Sequence, residues 1–294
     1  MKAKILIWSL VVLLCSCASE TTNNEETNDS SSPLKKEQLN ITILLDLSDR
    51  VTQPLQPSQN ERDIAIVSSI VEIFKNNMDT KGAFKAKDKL KILFTPSPDD
   101  ASINNIANTL TVDLSKMDNK QKKEVFDNIT TDFANGLTEI YKLTLNSKNW
   151  IGSDIWRFFK YDAKELCVEQ DKSYRNILVI VTDGYIYHKQ STDRQNNRTA
   201  YLTGTFLQNE GFRHNPKWKE KFDNQDYGFI NSGQTFEDLD ILVLEVNPSS
   251  THKNDEDIIR AYLNKWFTEM KVNHFEIFNT DLPVNTKSKI ERFF

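Results

Sequence analysis

Residues 40–46 read Asn-Ile-Thr-Ile-Leu-Leu-Asp, and residues 177–183 read Ile-Leu-Val-Ile-Val-Thr-Asp. Each stretch is a continuous apolar run that leads into an aspartate, which is typical of a central strand covered on both faces. A third run, at 241–246, reads ILVLEV. These runs alternate with amphipathic segments, and strands separated by helices indicate parallel crossover units.

Weaker patterns complete the predicted order of elements. Helical spacing of apolar residues predicts helices at 61–78, 119–145, from 154 onwards and at 255–270. Shorter strands are predicted at 90–94, at 106–114 as an edge strand, and at 274–278. We therefore predict one α/β domain over 39–294, a doubly wound, mostly parallel, Rossmann-like sheet with helices on both faces.

A long insertion, residues 185–240, follows the fourth main strand of this scheme. It is too long for an ordinary connection and is rich in aromatic residues among many Asn and Gln. Such a segment either forms a recognition lid around a site or buries its aromatic side chains in a satellite core.

The amino terminus has the features of an export signal. Lys2 and Lys4 precede an apolar run at 5–14, and Leu14-Cys15-Ser16-Cys17 follows it. This resembles a bacterial lipobox, which implies removal of residues 1–16 and lipid attachment, including palmitate, at Cys17. The alternative, an uncleaved membrane anchor, needs about 20 apolar residues, roughly twice the length of this run. Residues 17–38 are polar and predict a disordered tether, so we expect a membrane-anchored lipoprotein of the bacterial cell envelope.

Composition narrows the range of partners. The chain has 294 residues and a formal net charge of −5, and an acidic surface repels phosphate backbones, so nucleic acid is not an expected partner. No GxGxxG or P-loop motif occurs, so the usual sequence evidence for dinucleotide or nucleotide binding is missing.

Cys167 is the only cysteine downstream of Cys17, and we expect a buried, unreactive thiol rather than a nucleophile.

Three short loops carry the candidate site: Asp46-Leu47-Ser48-Asp49-Arg50, Gly152-Ser153-Asp154 and Thr182-Asp183-Gly184. Two of them follow predicted parallel strands, whose carboxyl ends border the usual ligand crevice. Together, and in this order, they resemble the loops of the von Willebrand factor type A (VWA) domain. That resemblance spans roughly residues 39–278 and implies a metal-ion-dependent adhesion site.

The resemblance implies that Asp46, Ser48, Ser153 and Asp183 bind Mg²⁺, a hard cation that prefers oxygen ligands. Ser153 stands where the family has threonine, and Arg50 replaces a serine that is a direct ligand in the family. Arg50 either points outward to meet an acidic ligand or folds inward, where its guanidinium pairs with Asp46 and Asp183 in place of the cation. Asp49 is a further candidate carboxylate ligand. Taken singly, aspartates at strand ends also serve as helix caps or begin turns.

Glycines adjoin two of the candidate ligands. Gly152 precedes Ser153, and Gly184 follows Asp183. Either the backbone must turn tightly at these points or both are ordinary loop glycines.

The sequence thus predicts a lipid-anchored binding, adhesion or scaffold module that recognises a protein partner, through an acidic side chain, at a metal-ion-dependent site. One alternative is a Mg²⁺-dependent phosphatase-like hydrolase, since a strand ending in aspartate is also found in haloacid-dehalogenase-type phosphatases. Such enzymes need a second carboxylate at position 48, where this chain has serine. The other alternative is a metal-free structural protein of the envelope. We expect no enzymatic activity.

Overall fold

The computed structural model describes residues 38–248 and 252–294. Nine strands occur in these ranges, and they form one large and one small sheet. The strands are β1 Gln38–Leu45, β2 Lys89–Phe94, β3 Val112–Asp113, β4 Tyr174–Val181, β5 Arg194–Gln195, β6 Arg198–Thr199, β7 Gly228–Phe229, β8 Leu239–Val246 and β9 His274–Asn279.

The large sheet has six strands in the order β3-β2-β1-β4-β8-β9. All neighbouring pairs are parallel except β2 with β3. β1 and β4 lie at the centre and are buried along almost their whole length, as their continuous apolar runs predict. The predicted α/β class with a mostly parallel central sheet is confirmed, and the architecture is compatible with a Rossmann-like fold.

Helices cover both faces of this sheet. They are α1 Gln59–Lys81, α2 Ala101–Thr109, α3 Asn119–Ser147, α4 Ile155–Tyr161, α5 Ala163–Cys167, α6 Gly204–Asn209, α7 Trp218–Asn224, α8 Asp255–Glu269 and α9 Pro283–Phe293. Apolar side chains of α1, α3 and α9 pack on one face, and those of α4, α5 and α8 pack on the other. None of the helices in the described ranges is long and apolar enough to cross a membrane.

The predicted edge strand at 106–114 is wrong for most of its length. Residues up to Thr109 belong to α2, whose first turn is capped by the Asp100 carboxylate, which accepts a hydrogen bond from Ser102 N. Ile103, Ala107 and Leu110 recur at helical spacing and are all buried. Only Val112–Asp113 is a strand.

Other differences from the predicted elements are smaller. The helix predicted from 154 is interrupted at Asp162, and α9 was not predicted. Gln38, which was assigned to the tether, begins β1.

Residues 185–240 carry β5, β6, β7, α6 and α7. Most of their aromatic side chains are buried, and they join the core between the sheet and α8 instead of forming a separate satellite core. Phe229, for example, packs against Tyr262 and Trp266 of α8. Two tyrosines at the beginning of the segment, Tyr185 and Tyr187, instead line a cleft beside the loops that follow β1 and β4.

The predicted signal peptide, the lipid-attachment residue Cys17 and all of the predicted tether except Gln38 lie outside the described residues. Cys167 is described and fully buried in α5, and burial raises the pKa of its thiol to about 12. The thiolate, which is the reactive form, is therefore strongly disfavoured. This agrees with the expectation of an unreactive thiol.

Candidate functional site

The candidate site lies where the order of strands in the large sheet reverses. From β1 the chain proceeds to β2 and β3 on one side, whereas from β4 it proceeds to β8 and β9 on the other. Ligands of open parallel sheets bind outside the carboxyl ends of the strands at such a point. Asp46 directly follows β1, and Thr182 and Asp183 directly follow β4.

Asp46 joins two of the three loops. Its Oδ1 accepts a hydrogen bond of 2.9 Å from Ser48 N, and its Oδ2 accepts one of 2.8 Å from the Thr182 hydroxyl. The residue is only 3% exposed and lies behind the cleft surface. Its carboxylate therefore fixes the first loop against the loop after β4.

The other three predicted ligands line one cleft of about 680 Å³. Ser48, Ser153 and Asp183 contribute to its surface, and the exposed Asp49 lies on its wall as well. The structure thus brings residues from all three loops together. Tyr185 and Tyr187 form the side of the cleft that belongs to the segment 185–240.

Ser153 is held by its backbone and leaves its hydroxyl free. Ser153 N donates to Tyr187 O at 2.8 Å, and the side chain is buried, but its Oγ has no hydrogen-bond partner among the described residues. Gly152 makes this close approach feasible: its φ is +87°, and a Cβ there would lie 2.1 Å from Tyr187 O. The tight-turn interpretation of this glycine is the one that the geometry favours.

Asp183 presents a carboxyl group to the cleft. Its Oδ1 accepts a hydrogen bond from Tyr185 N at 3.0 Å, and its Oδ2 accepts a longer one, 3.4 Å, from Gln53 Nε2. Burial, together with the nearby negative charge of Asp46, raises the pKa of Asp183 to about 7. The hydrogen bond from Tyr185 N and the charge of Arg50 oppose this rise in the pKa without cancelling it.

Arg50 folds inward, but its ion pair is with a residue that neither predicted orientation included. Its Nη2 lies 2.6 Å from Asp63 Oδ2 of α1, and its Nε donates to the backbone O of Asp46 at 2.8 Å. It makes no hydrogen bond to the carboxylate of Asp46 or Asp183 within the described ranges. The guanidinium therefore does not point to solvent, and its hydrogen bonds go to Asp63 and to the backbone of Asp46, although it lines the cleft and its charge acts on Asp183.

Asp63 is completely buried and accepts three hydrogen bonds from side chains. Besides Arg50, the hydroxyl of Tyr141 donates to Oδ2 at 2.5 Å and Gln59 Nε2 donates to Oδ1 at 2.8 Å. Burial raises the pKa of Asp63, and Arg50 with these donors opposes that shift. For Arg50, burial alone would lower the pKa, but the charges of Asp63 and Asp46 raise it above its ordinary value. The distance of 2.6 Å between Arg50 Nη2 and Asp63 Oδ2 is that of an ion pair.

A second buried network touches the first through Gln59. Gln59 Nε2 also lies 3.2 Å from Glu245 Oε2 at the end of β8, and Arg62 Nε donates to the same oxygen at 2.8 Å. Asp63, Tyr141, Gln53 and Gln59 were not among the predicted site residues. Asp63 nevertheless lies on the apolar stripe of α1, four residues before Val67, and a carboxylate on such a stripe needs a buried partner.

No group of three or more His, Cys, Asp or Glu side chains in the described parts of the chain is placed to hold a metal ion. The four predicted ligands are two carboxylates and two hydroxyls. They therefore differ from a cluster of three or more His, Cys, Asp or Glu side chains. Their donors are all oxygens, which suits Mg²⁺. The unpaired hydroxyl of Ser153 and the buried carboxyl group of Asp183 fit a cation in the cleft.

No model of a known protein family matches the sequence, and no curated protein is similar enough to be matched to it. The resemblance to the VWA domain therefore stays a prediction from the sequences of the three loops.

Proposed function

We propose that this protein is a lipid-anchored binding module of the bacterial cell envelope with a VWA-like domain. In this proposal the cleft between the three loops holds a divalent cation, and a protein partner binds there through an acidic side chain. The proposal covers a non-enzymatic role in adhesion or in the assembly of an envelope complex, with Cys17 as the lipid-attachment residue.

The unpaired Ser153 hydroxyl is the observation that carries the proposal. Buried polar atoms almost always have a partner, and one without a partner calls for an explanation. This hydroxyl belongs to a cleft that also contains the Asp183 carboxyl group and Ser48. A cation coordinated by these oxygens would satisfy the hydroxyl and balance the charge of Asp183 at the same time.

Each residue has a distinct role in this proposal. Ser48, Ser153 and Asp183 would hold the cation directly, and Asp46 orients Ser48 and Thr182 from behind through its two hydrogen bonds. The bound cation would supply an open coordination position for a carboxylate oxygen of the partner. Arg50 fixes the first loop to α1 through its ion pair with Asp63.

Charge favours an acidic partner only when the cation is present. The cleft contains Asp49 and Asp183, and the whole chain carries a net charge of −5. Arg50 also lines the cleft, but it is only 2% exposed and its Nη2 is paired with Asp63, so most of its positive charge is already balanced. Without a cation, Asp49 and Asp183 would oppose the approach of an acidic group.

The test is a thermal unfolding experiment with Mg²⁺ or Mn²⁺ against a chelator. At about ten times its Kd the cation should stabilise the wild type by roughly 1.4 kcal/mol through mass action. Ser153→Ala should unfold at nearly the wild-type temperature in chelator, because the hydroxyl has no partner to lose, and should not respond to the cation. Ser69→Ala is the matched control, since Ser69 is also buried but donates to Ala65 O within α1.

A wild-type melting curve that is the same in chelator and in about 10 mM Mg²⁺ or Mn²⁺ would contradict the proposal. So would an unchanged response of Ser153→Ala, because the cation would then bind elsewhere.

A further inference from the structure

A second cavity, of about 270 Å³, lies beside the cleft. It opens between the carboxyl ends of β1 and β2, the start of α2 and the end of α3. Gly152 is the one residue that lines both this cavity and the cleft. The cavity contains none of the proposed cation ligands, so it is a separate site.

The interior of this cavity is apolar. Its surface is formed mainly by aliphatic, aromatic and proline side chains: Leu45, Leu47, Phe94, Pro96, Ile103 and Ile151. An apolar cavity of about 150 Å³ is known to accept benzene, so a space of this size accommodates an aromatic ring or a branched alkyl group with a short chain attached. Burial of such a group is favourable by roughly 25 cal/mol per Å² of apolar surface.

The mouth of the cavity is acidic. Asp99 and Asp100 lie at its opening, and no Lys, Arg or His is among the described residues that line it. Asp99 is exposed, and its Oδ2 accepts a hydrogen bond of 3.2 Å from Asn149 Nδ2, two residues after the end of α3, which also lines the cavity. The positive end of the α2 dipole, which would otherwise attract an anion, is already capped by Asp100.

We propose that this cavity binds a small hydrophobic amine, with the apolar body in the interior and the ammonium group beside Asp99 and Asp100. An apolar interior alone would accept neutral molecules equally well, and the two carboxylates supply the preference for a cation. An organic anion would meet the same carboxylates and be repelled. This inference does not depend on the proposed cation in the cleft, because the two sites share only Gly152 and the cavity contains none of the proposed cation ligands.

The test uses 2-phenylethylamine as the probe, with 2-phenylethanol and 3-phenylpropionate as its neutral and anionic counterparts. For a ligand of about nine heavy atoms, millimolar affinity is a realistic scale. We expect the amine to bind tightest and the anion weakest, measured by titration calorimetry or by NMR chemical shifts on the full chain in the presence of chelator. The chelator separates this result from any effect of the cleft cation.

Two variants examine the two parts of the proposal. Ser147→Trp places a large side chain at an exposed position on the rim and should block the amine. Asp99→Asn should weaken amine binding about 2- to 5-fold, the range for a partly exposed charge pair, and leave the alcohol unaffected. Asp132→Asn is the matched control, because Asp132 is exposed on α3 about three to four turns before Thr144 and Ser147, which line the cavity.

Equal affinity for the amine and the alcohol would overturn the proposed cation preference, and unchanged amine binding in Ser147→Trp would overturn the location. If the cleft fails to bind a cation but the amine binds as described, only the proposed function is rejected.

Discussion

Replacement of Arg50 by methionine removes one half of a buried ion pair and keeps an unbranched side chain of similar length. Arg50 is 2% exposed and Asp63 is fully buried, so water cannot replace the lost guanidinium. Asp63 would retain its hydrogen bonds from Tyr141 and Gln59 but not its positive partner. Breaking a buried pair in this way costs about 3–5 kcal/mol. For a domain of this size, that loss lowers the melting temperature by roughly 6–20 °C.

The location of the pair also determines how the variant should respond to Mg²⁺. If the guanidinium occupied the cation position, Mg²⁺ would restore the stability of Arg50→Met. Because Arg50 pairs instead with Asp63 of α1, we expect Mg²⁺ to leave the difference in stability between the two proteins nearly unchanged. If Mg²⁺ raised the stability of Arg50→Met to that of the wild type, the assignment of Asp63 as the partner of Arg50 would be incorrect.

A double-mutant cycle with Asp63→Asn gives the coupling between the two side chains. Urea unfolding of the wild type, both single variants and the double variant should give a coupling free energy between about 0.5 and 3 kcal/mol. Arg157→Met is the control, since Arg157 is exposed on α4, and it should change stability by no more than about 0.5 kcal/mol. A change equally small in Arg50→Met would refute the argument from the buried pair.

Three further predictions concern single residues. Because the pKa of Asp183 is raised from 3.8 to about 7, the folded protein keeps a proton that the unfolded chain releases, so stability in chelator should fall as pH rises from about 4 to about 7. In urea unfolding, Asp183→Asn should lose this part of the pH dependence. If the free energy of unfolding changed equally with pH in both proteins, the raised pKa of Asp183 would be contradicted. Labelled fatty acid should enter the wild type and Cys15→Ser but not Cys17→Ser, and equal labelling of the two variants would reject the lipid assignment. Cys167 should resist iodoacetamide at pH 8 until the protein is unfolded, because its pKa is raised to about 12, and rapid labelling of the native protein would be the contrary result.

The central sheet was predictable because the sequences of its central strands are apolar almost without interruption. β1 and β4 are buried on both faces, so neither needs a polar face, and their sequences become unbroken apolar runs. Asp46 and Asp183 lie at the same edge of the sheet because β1 and β4, which they follow, are parallel neighbours. By contrast, residues 101–113 are short and moderately apolar, and over so few residues alternation and helical spacing are difficult to distinguish. The two-residue strands β5, β6 and β7 depend on tertiary contacts that leave no local pattern.

The arrangement inside the site was less accessible from the sequence. The roles of Asp46, Ser48, Ser153 and Asp183 were inferred from motifs, and their shared edge of the sheet follows from topology. The direction of Arg50 depends on Asp63, which lies 13 residues further along the chain on another element. A separation of 13 residues between two charged side chains gives no sequence signal that they form an ion pair. Only the unusual position of a carboxylate on the apolar stripe of α1 indicated that some buried cationic partner was required.

The wall of the cleft formed by residues 185–188 has a kinetic consequence. Ile186 exchanges two backbone hydrogen bonds with Leu202, at 2.9 and 2.7 Å, and Tyr187 O accepts one from Ser153 N. Both Ile186 and Leu202 are buried in the same core as α8. Opening of this wall would break core contacts, so under the proposed function a partner would meet a surface already in its bound shape. Association should then proceed without a slow rearrangement, and related partners should differ mainly in how long they remain bound.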